Sequence, residues 1–210
     1  MDAVVRRRRK KLDPDPGVRD AIVNAAAELV HEEGIASVNV ARVLDRAALS
    51  TRAFYRHFDS KDALVSAVFL QMARTEMRRL KRKMASASNP ADAVVAWIDG
   101  RLDLAFNEQI RSDLRQMSLE AQTQMFAAPE LVGDAYAEIL KPLVDQLEKG
   151  RAAGLFPDID PGADALSIHG VIWASVERQW ATGDCDQHDV REQIVRFCMR
   201  GLGVAQFEGR

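Results

Sequence analysis

Apolar residues in this chain recur at three- and four-residue intervals from one end to the other, with no strand-length alternation between hairpin turns. That period puts one apolar stripe on each of a succession of helices, so the expected fold class is all-α, with about nine helices and no sheet. Asp15-Pro16 reads as a cap followed by proline at the first helical position. Ile22, Ala25, Ala26, Leu29 and Val30 then share one face of a helix over residues 17–33, which Gly34 stops. Two short helices follow, 40–47 capped by Asn39 and 51–58 capped by Ser50. Asp59-Ser60 opens a long one over 61–84. Past the small, polar stretch 86–90, helices are expected near 91–107, 110–125, 129–153, 161–182 and 189–201. Pro142 lies inside 129–153 and should kink it, because proline removes one backbone bond to the preceding turn.

Residues 39–58 therefore hold two short helices separated by Ala48-Leu49-Ser50, the length of a helix-turn-helix. On the second helix Phe54 and Phe58, four apart, turn inward with Leu49 onto Val40, Val43 and Leu44. Thr51, Arg52, Ala53, Tyr55, Arg56 and His57 remain outside. They are small groups, hydrogen-bond donors and an aromatic hydroxyl, which suit a helix entering a major groove. Arginine can pair with guanine through two bonds, and Thr and Ala methyls can touch thymine methyls. Asn39 and Ser50 could also present helix N-termini to phosphates.

Composition sharpens this picture. The net charge of -2 hides a division: residues 1–84 sum to +7 and residues 85–210 to -9. A basic front half suits a polyanion, because its cations replace condensed counterions on phosphates. The run Arg6-Arg7-Arg8-Arg9-Lys10-Lys11 reads as part of a flexible basic arm, 1–13, able to follow the minor groove or the phosphates. No apolar stretch reaches the length of a membrane span, and no secretory signal pattern follows the basic start. Cys185 and Cys198 lack metal-ligand spacing and are expected as reduced thiols in a cytoplasmic protein.

The stretch from Val40 to Leu64 resembles the N-terminal signature of TetR-type (TetR/AcrR) transcriptional regulators, most specifically in Tyr55-x-x-Phe58 and Ser60-Lys61-Asp62-x-Leu64. Ile22, Ala26, Leu29 and Gly34 fit that family's first helix, and the match covers about residues 18–70. The resemblance implies that Tyr55 and His57 touch the sugar–phosphate backbone, that Lys61 binds a phosphate, and that Thr51, Arg52, Ala53 and Arg56 read sequence. Arg42 and Arg46 could reinforce the backbone contacts. The family usually has glycine in the turn, where this chain has Ala48; a left-handed residue there costs alanine about 1 kcal/mol more than glycine.

The resemblance also implies an organisation: a helix-turn-helix domain over 14–62, a connecting helix over 61–84, and an effector-binding and dimerisation domain over 85–210. One short helix covers few base pairs, so a homodimer on a palindromic operator is expected. The last two helices carry stripes (Leu166, His169, Trp173, Val176, Trp180, then Val190, Ile194, Phe197, Cys198, Gly201, Leu202) that could pair across a two-fold axis as a four-helix bundle. The interface candidates are Val176, Trp180, Ile194, Phe197 and Leu202. Trp97, Phe106, Met117, Met125, Phe126, Tyr136, His169 and Trp173 are candidates to line a pocket for a small effector. That effector is expected to be mostly apolar, because charged residues are sparse on the inner stripes.

The expected function is a DNA-binding regulator, a repressor released by its effector, with no cofactor or metal. The alternative is a helical ligand-binding or adaptor protein without sequence-specific DNA binding, against which the outer face of 51–57 argues. Catalysis is not expected: His31-Glu32-Glu33 lacks the second histidine of a zinc-protease motif, and Gly201-Leu202-Gly203 follows a helix and lacks a third glycine. No phosphate loop or nucleophile elbow is present.

Overall fold

The computed structural model describes residues 15–107, 118–125 and 127–204. Every regular element among them is helical: α1 Pro16–Glu33, a 3-10 turn Ile35–Ser37, α2 Val40–Ala47, α3 Thr51–Phe54, α4 Lys61–Met84, α5 Pro90–Phe106, α6 at 118–125, α7 Pro129–Ala152, α8 Pro161–Thr182 and α9 Gln187–Gly201. The arm over 1–13, Met117 and Phe126 lie outside the described residues. The chain forms two compact units, divided between Leu64 and Val65 within α4.

In the first unit the ends of the helices follow from their caps. The Asp15 carboxylate accepts from Gly17 N–H at 2.9 Å, with Pro16 at the first helical position, and Gly34 ends α1 at φ 82°. The Asn39 side chain accepts from Arg42 N–H at 2.9 Å and starts α2. Ile22, Ala26, Leu29, Val43, Leu44, Phe54 and Phe58 form the buried side of this unit.

The second unit packs α5, α7, α8 and α9 around Trp97, Ile98, Leu102, Leu143, Leu147, Ile172, Val176 and Ile194, with Leu80 of α4 joining them. Phe156, fully buried, lies flat against Gly150, where an added Cβ would stand 2.1 Å from its ring. Asp99 of α5 accepts two bonds from Arg191 of α9, at 2.7 and 3.1 Å. α7 continues through Pro142, which is itself buried between buried Leu140 and Leu143.

Burial redistributes the expected interface residues. Val176, Ile194 and Leu202 are at most 2% exposed and belong to the chain's own core, so they are not available to a partner. The reason is that periodicity identifies an apolar stripe but not what the stripe packs against. Trp180 is half-buried and its indole N–H donates to the Leu104 carbonyl at 3.3 Å. Phe197 and Leu166 stand outside.

Candidate nucleic-acid interface and ligand pocket

The turn between α2 and α3 is closed by two bonds. Leu49 N–H reaches the Leu44 carbonyl at 2.9 Å, and Ala48 N–H reaches that of Asp45 at 3.2 Å. This Schellman arrangement needs a left-handed residue in the middle. Ala48 supplies it at φ 53°, ψ 42°, as the only described non-glycine residue with positive φ.

Ser50 then caps α3, its hydroxyl accepting from Ala53 N–H at 3.3 Å. The helix expected over 51–58 is α-helical only as far as Phe54. Arg56 N–H and His57 N–H close three residues back, on the carbonyls of Ala53 and Phe54, before Phe58 N–H returns to the Phe54 carbonyl. That tightened turn brings the Phe58 ring 5.7 Å from the Phe54 ring, and the Arg19 guanidinium lies 5.2 Å from the Phe58 ring on its other approach.

With both phenylalanines buried, Thr51, Arg52, Tyr55 and Arg56 are exposed, and Ala53 and His57 half so. Tyr55 is 61% exposed, its ring edge-on to Phe54 at 5.2 Å. Lys61 is exposed at the start of α4, whose first turn is held by the Ser60 hydroxyl accepting from Ala63 N–H. Asn39 and Ser50 are exposed but spend their side-chain oxygens on their own helices. Arg42 is engaged differently from its neighbours: both of its terminal nitrogens bond the Glu33 carboxylate. Arg46 likewise pairs with Glu32 at 2.7 Å, with Glu28 at 3.7 Å. These pairs tie α2 to α1, and a phosphate reaching either arginine would have to displace a carboxylate.

In the second unit, a cavity of about 60 Å³ is lined by Phe69, Met72, Glu76, Arg101, Leu104, Ser118, Ala121, Tyr136, Ile139 and Trp173, among others. Of the sequence candidates it takes in Tyr136 and Trp173. Trp97 is buried in the core, and neither Phe106 nor Met125 is part of the lining. His169 stands behind that wall, its ring 5.6 Å from Tyr136, 6.2 Å from Trp173 and 6.4 Å from Trp97.

The apolar stripes do not describe this wall fully, because it contains an ion pair. Glu76 and Arg101 are each 5% exposed or less. Glu76 accepts two bonds from Arg79 at 2.8 Å and one from Arg101 Nη1 at 3.0 Å. Arg79 also reaches Asp103 at 3.0 Å. Burial alone would raise the Glu76 carboxyl, but the bonds and charges of Arg79 and Arg101 outweigh it and hold it below the usual carboxylate range. Burial pushes the His169 imidazole down to about 3, with the Arg101 charge adding to it, so the ring is neutral at neutral pH. Among the described residues three buried polar atoms have no hydrogen-bond partner: Trp97 Nε1, Arg101 Nε and His169 Nδ1. Each such atom costs about 1–3 kcal/mol, so three in one region call for an explanation.

Sequence reasoning missed Glu76 and Arg101, yet a signal existed. Arg101 falls four residues after Trp97 and three after Ile98, and Glu76 three after Ala73 and four before Leu80. Both are charges on apolar stripe positions.

Comparison with known proteins agrees with this geometry. Residues 22–68 match the family model of bacterial regulatory proteins of the tetR family. The transcriptional repressor KstR2 of Mycolicibacterium smegmatis is 24% identical over 189 residues, covering 90% of this chain and 92% of that protein. Among solved structures, a transcriptional regulator from Streptomyces coelicolor A3(2) superimposes with TM-score 0.69 at 23% identity, over 87% of this chain and 99% of that one. FadR from Bacillus subtilis, in complex with stearoyl-CoA, does so with TM-score 0.63 at 16% identity, over 87% and 98%. With residues 22–68 matched by the family model, 90% of its length aligned to a repressor and its fold shared with solved regulators, this chain is a TetR-type, DNA-binding transcriptional regulator.

Proposed function

We propose that the chain acts as a homodimeric repressor that binds a palindromic operator and leaves it when a small molecule occupies the cavity lined by Tyr136 and Trp173. The observation that carries the DNA-binding part is the division of residues 51–58 by face. Phe54 and Phe58 are consumed by the core, leaving Thr51, Arg52, Tyr55 and Arg56 exposed. In this reading Tyr55, His57 and Lys61 contact the sugar–phosphate backbone, while Thr51, Arg52, Ala53 and Arg56 meet base edges. Asn39 and Ser50 hold the N-termini of the two helices for phosphates. Arg42 contributes by orienting α2 through Glu33.

Phe197, 63% exposed among Gln193, Arg196, Arg200 and Gly201, and Leu166, 58% exposed, supply the dimer face on α9 and α8. The repressor's name on the KstR2 relative and the stearoyl-CoA held by the FadR neighbour support repression and a ligand in the second unit. Release then requires an effector that binds the non-DNA geometry more tightly than the DNA-bound one.

The test is selection of bound sequences from random duplexes, followed by gel shifts with Tyr55→Ala and Arg56→Ala. A palindromic consensus with binding weakened in both variants is expected. Recovery of no consensus, or an asymmetric one, would refute the reading.

A further inference from the structure

The cavity wall is more specific than an apolar pocket requires. The charged patch among its described lining is Glu76 with Arg101, and the two are unequally served. Glu76 receives three hydrogen bonds, two of them from Arg79. Among the described residues Arg101 gives a single bond, through Nη1, and its buried Nε has no partner. Glu76 is thus shared between two guanidiniums, and the one that lines the cavity holds the smaller share. Behind the same wall lie two further unpartnered buried atoms, the Trp97 N–H and His169 Nδ1. Arginine and tryptophan only donate, so at least two of these three atoms are donors without an acceptor. Apart from Ser118 and the Tyr136 hydroxyl, the rest of the described lining is apolar, with Phe69, Met72, Leu104, Ile139 and the Trp173 ring its largest parts.

We infer that this cavity takes an apolar molecule bearing one carboxylate, whose oxygens bond the Arg101 guanidinium while its hydrocarbon part lies along Phe69, Met72, Ile139 and Trp173. The inference rests on the effector reading above and adds the charge and class of the ligand. A planar guanidinium suits a carboxylate because both nitrogens on one edge can donate in parallel. An ammonium ligand would face Arg101 with nothing to offer its donors, and a plain hydrocarbon would leave Arg101 Nε unpartnered. The cavity of about 60 Å³ is below the roughly 300 Å³ at which drug-sized sites begin, so binding must open it. Met72 and the small side chains of Ser118 and Ala121 are the parts of the lining most able to yield.

The full-length protein is titrated with octanoate and phenylacetate and, as matched neutral probes, with 1-octanol and 2-phenylethanol. Binding is followed by calorimetry and by the change in tryptophan fluorescence, since Trp173 is in the wall. The acids should bind at least about tenfold more tightly than the alcohols, the discrimination expected of a charge-assisted bond. Arg101→Gln should abolish that preference. Where Arg101→Gln does not fold, Glu76→Gln with Arg101→Gln removes both charges and keeps the shape, and it should show the same loss. Alcohols binding as tightly as acids would overturn the carboxylate assignment and leave the effector pocket standing. An acid preference that survives loss of Arg101 would overturn it equally. Absence of binding by every probe would overturn both this inference and the pocket reading.

Discussion

Replacing Ala48 by glycine should stabilise the helix-turn-helix, against the usual cost of glycine in a folded chain. Ala48 holds φ 53° and ψ 42°, where its Cβ crowds the following carbonyl. The left-handed conformation costs a residue with a Cβ about 1–2 kcal/mol. Glycine avoids this, but its wider unfolded ensemble takes back about 0.4–1 kcal/mol. The methyl group is exposed, so no packing is lost, and the bonds from Ala48 N–H and Leu49 N–H involve only backbone. The net gain is about 0.5–1 kcal/mol. With a urea slope of about 2 kcal/mol per molar, the midpoint should rise by roughly 0.25–0.5 M while the slope stays constant.

The choice of probe matters here. All three tryptophans, Trp97, Trp173 and Trp180, lie in the second unit, so their fluorescence does not report this turn. Far-UV circular dichroism, with hydrogen exchange at the amides of α2 and α3, does. Ala48→Val should move the midpoint the other way, because a β-branched side chain fits left-handed backbone still less well. A lower midpoint for Ala48→Gly at unchanged slope would refute the assignment of the strained turn. DNA affinity should be retained in Ala48→Gly, since the recognition side chains keep their positions.

Gly150→Ala should destabilise the second unit by about 1–3 kcal/mol, read from the tryptophan-monitored denaturation midpoint, because the new methyl overlaps the fully buried Phe156 ring. His169 has a folded value of about 3 against 6.5 for the free side chain, so the unfolded chain takes up its proton first. Above pH 6.5 no proton-linked cost arises from it, and stability is lost as the pH falls from there toward 3, by about 1.4 kcal/mol per pH unit from this one group. His169→Gln should flatten the urea midpoint's dependence on pH between 6 and 4 by one proton, and an unchanged slope would contradict the assignment. Phe197→Glu should convert the proposed dimer to monomer in sedimentation velocity while leaving helicity intact, since Phe197 takes no part in the buried core.

Much of the DNA-reading unit is local, and for that reason the sequence alone determined it. Cap residues, the 3.6-residue period and the four-residue spacing of Phe54 and Phe58 specify helix starts, helix faces and which side chains stay outside. The left-handed place of residue 48 was implied by the family resemblance, since that family usually has glycine there. Even there one feature escaped: α3 tightens after Phe54, because Arg56 and His57 bond three residues back instead of four, a choice made by packing of Phe58 and not by propensity.

Only the tertiary structure decided whether the apolar stripe of each C-terminal helix is core or interface. Periodicity identifies a stripe but not its partner, so Val176, Ile194 and Leu202 read as interface until the burial of α8 and α9 against α5 and α7 placed them inside, leaving Phe197 and Leu166 out. The same limit hid the Glu76–Arg101 pair. Each is an isolated charge on an apolar stripe, 25 residues apart in sequence. A buried charge survives only beside its counterion, and that proximity is a property of how α4 and α5 pack, which no local pattern encodes.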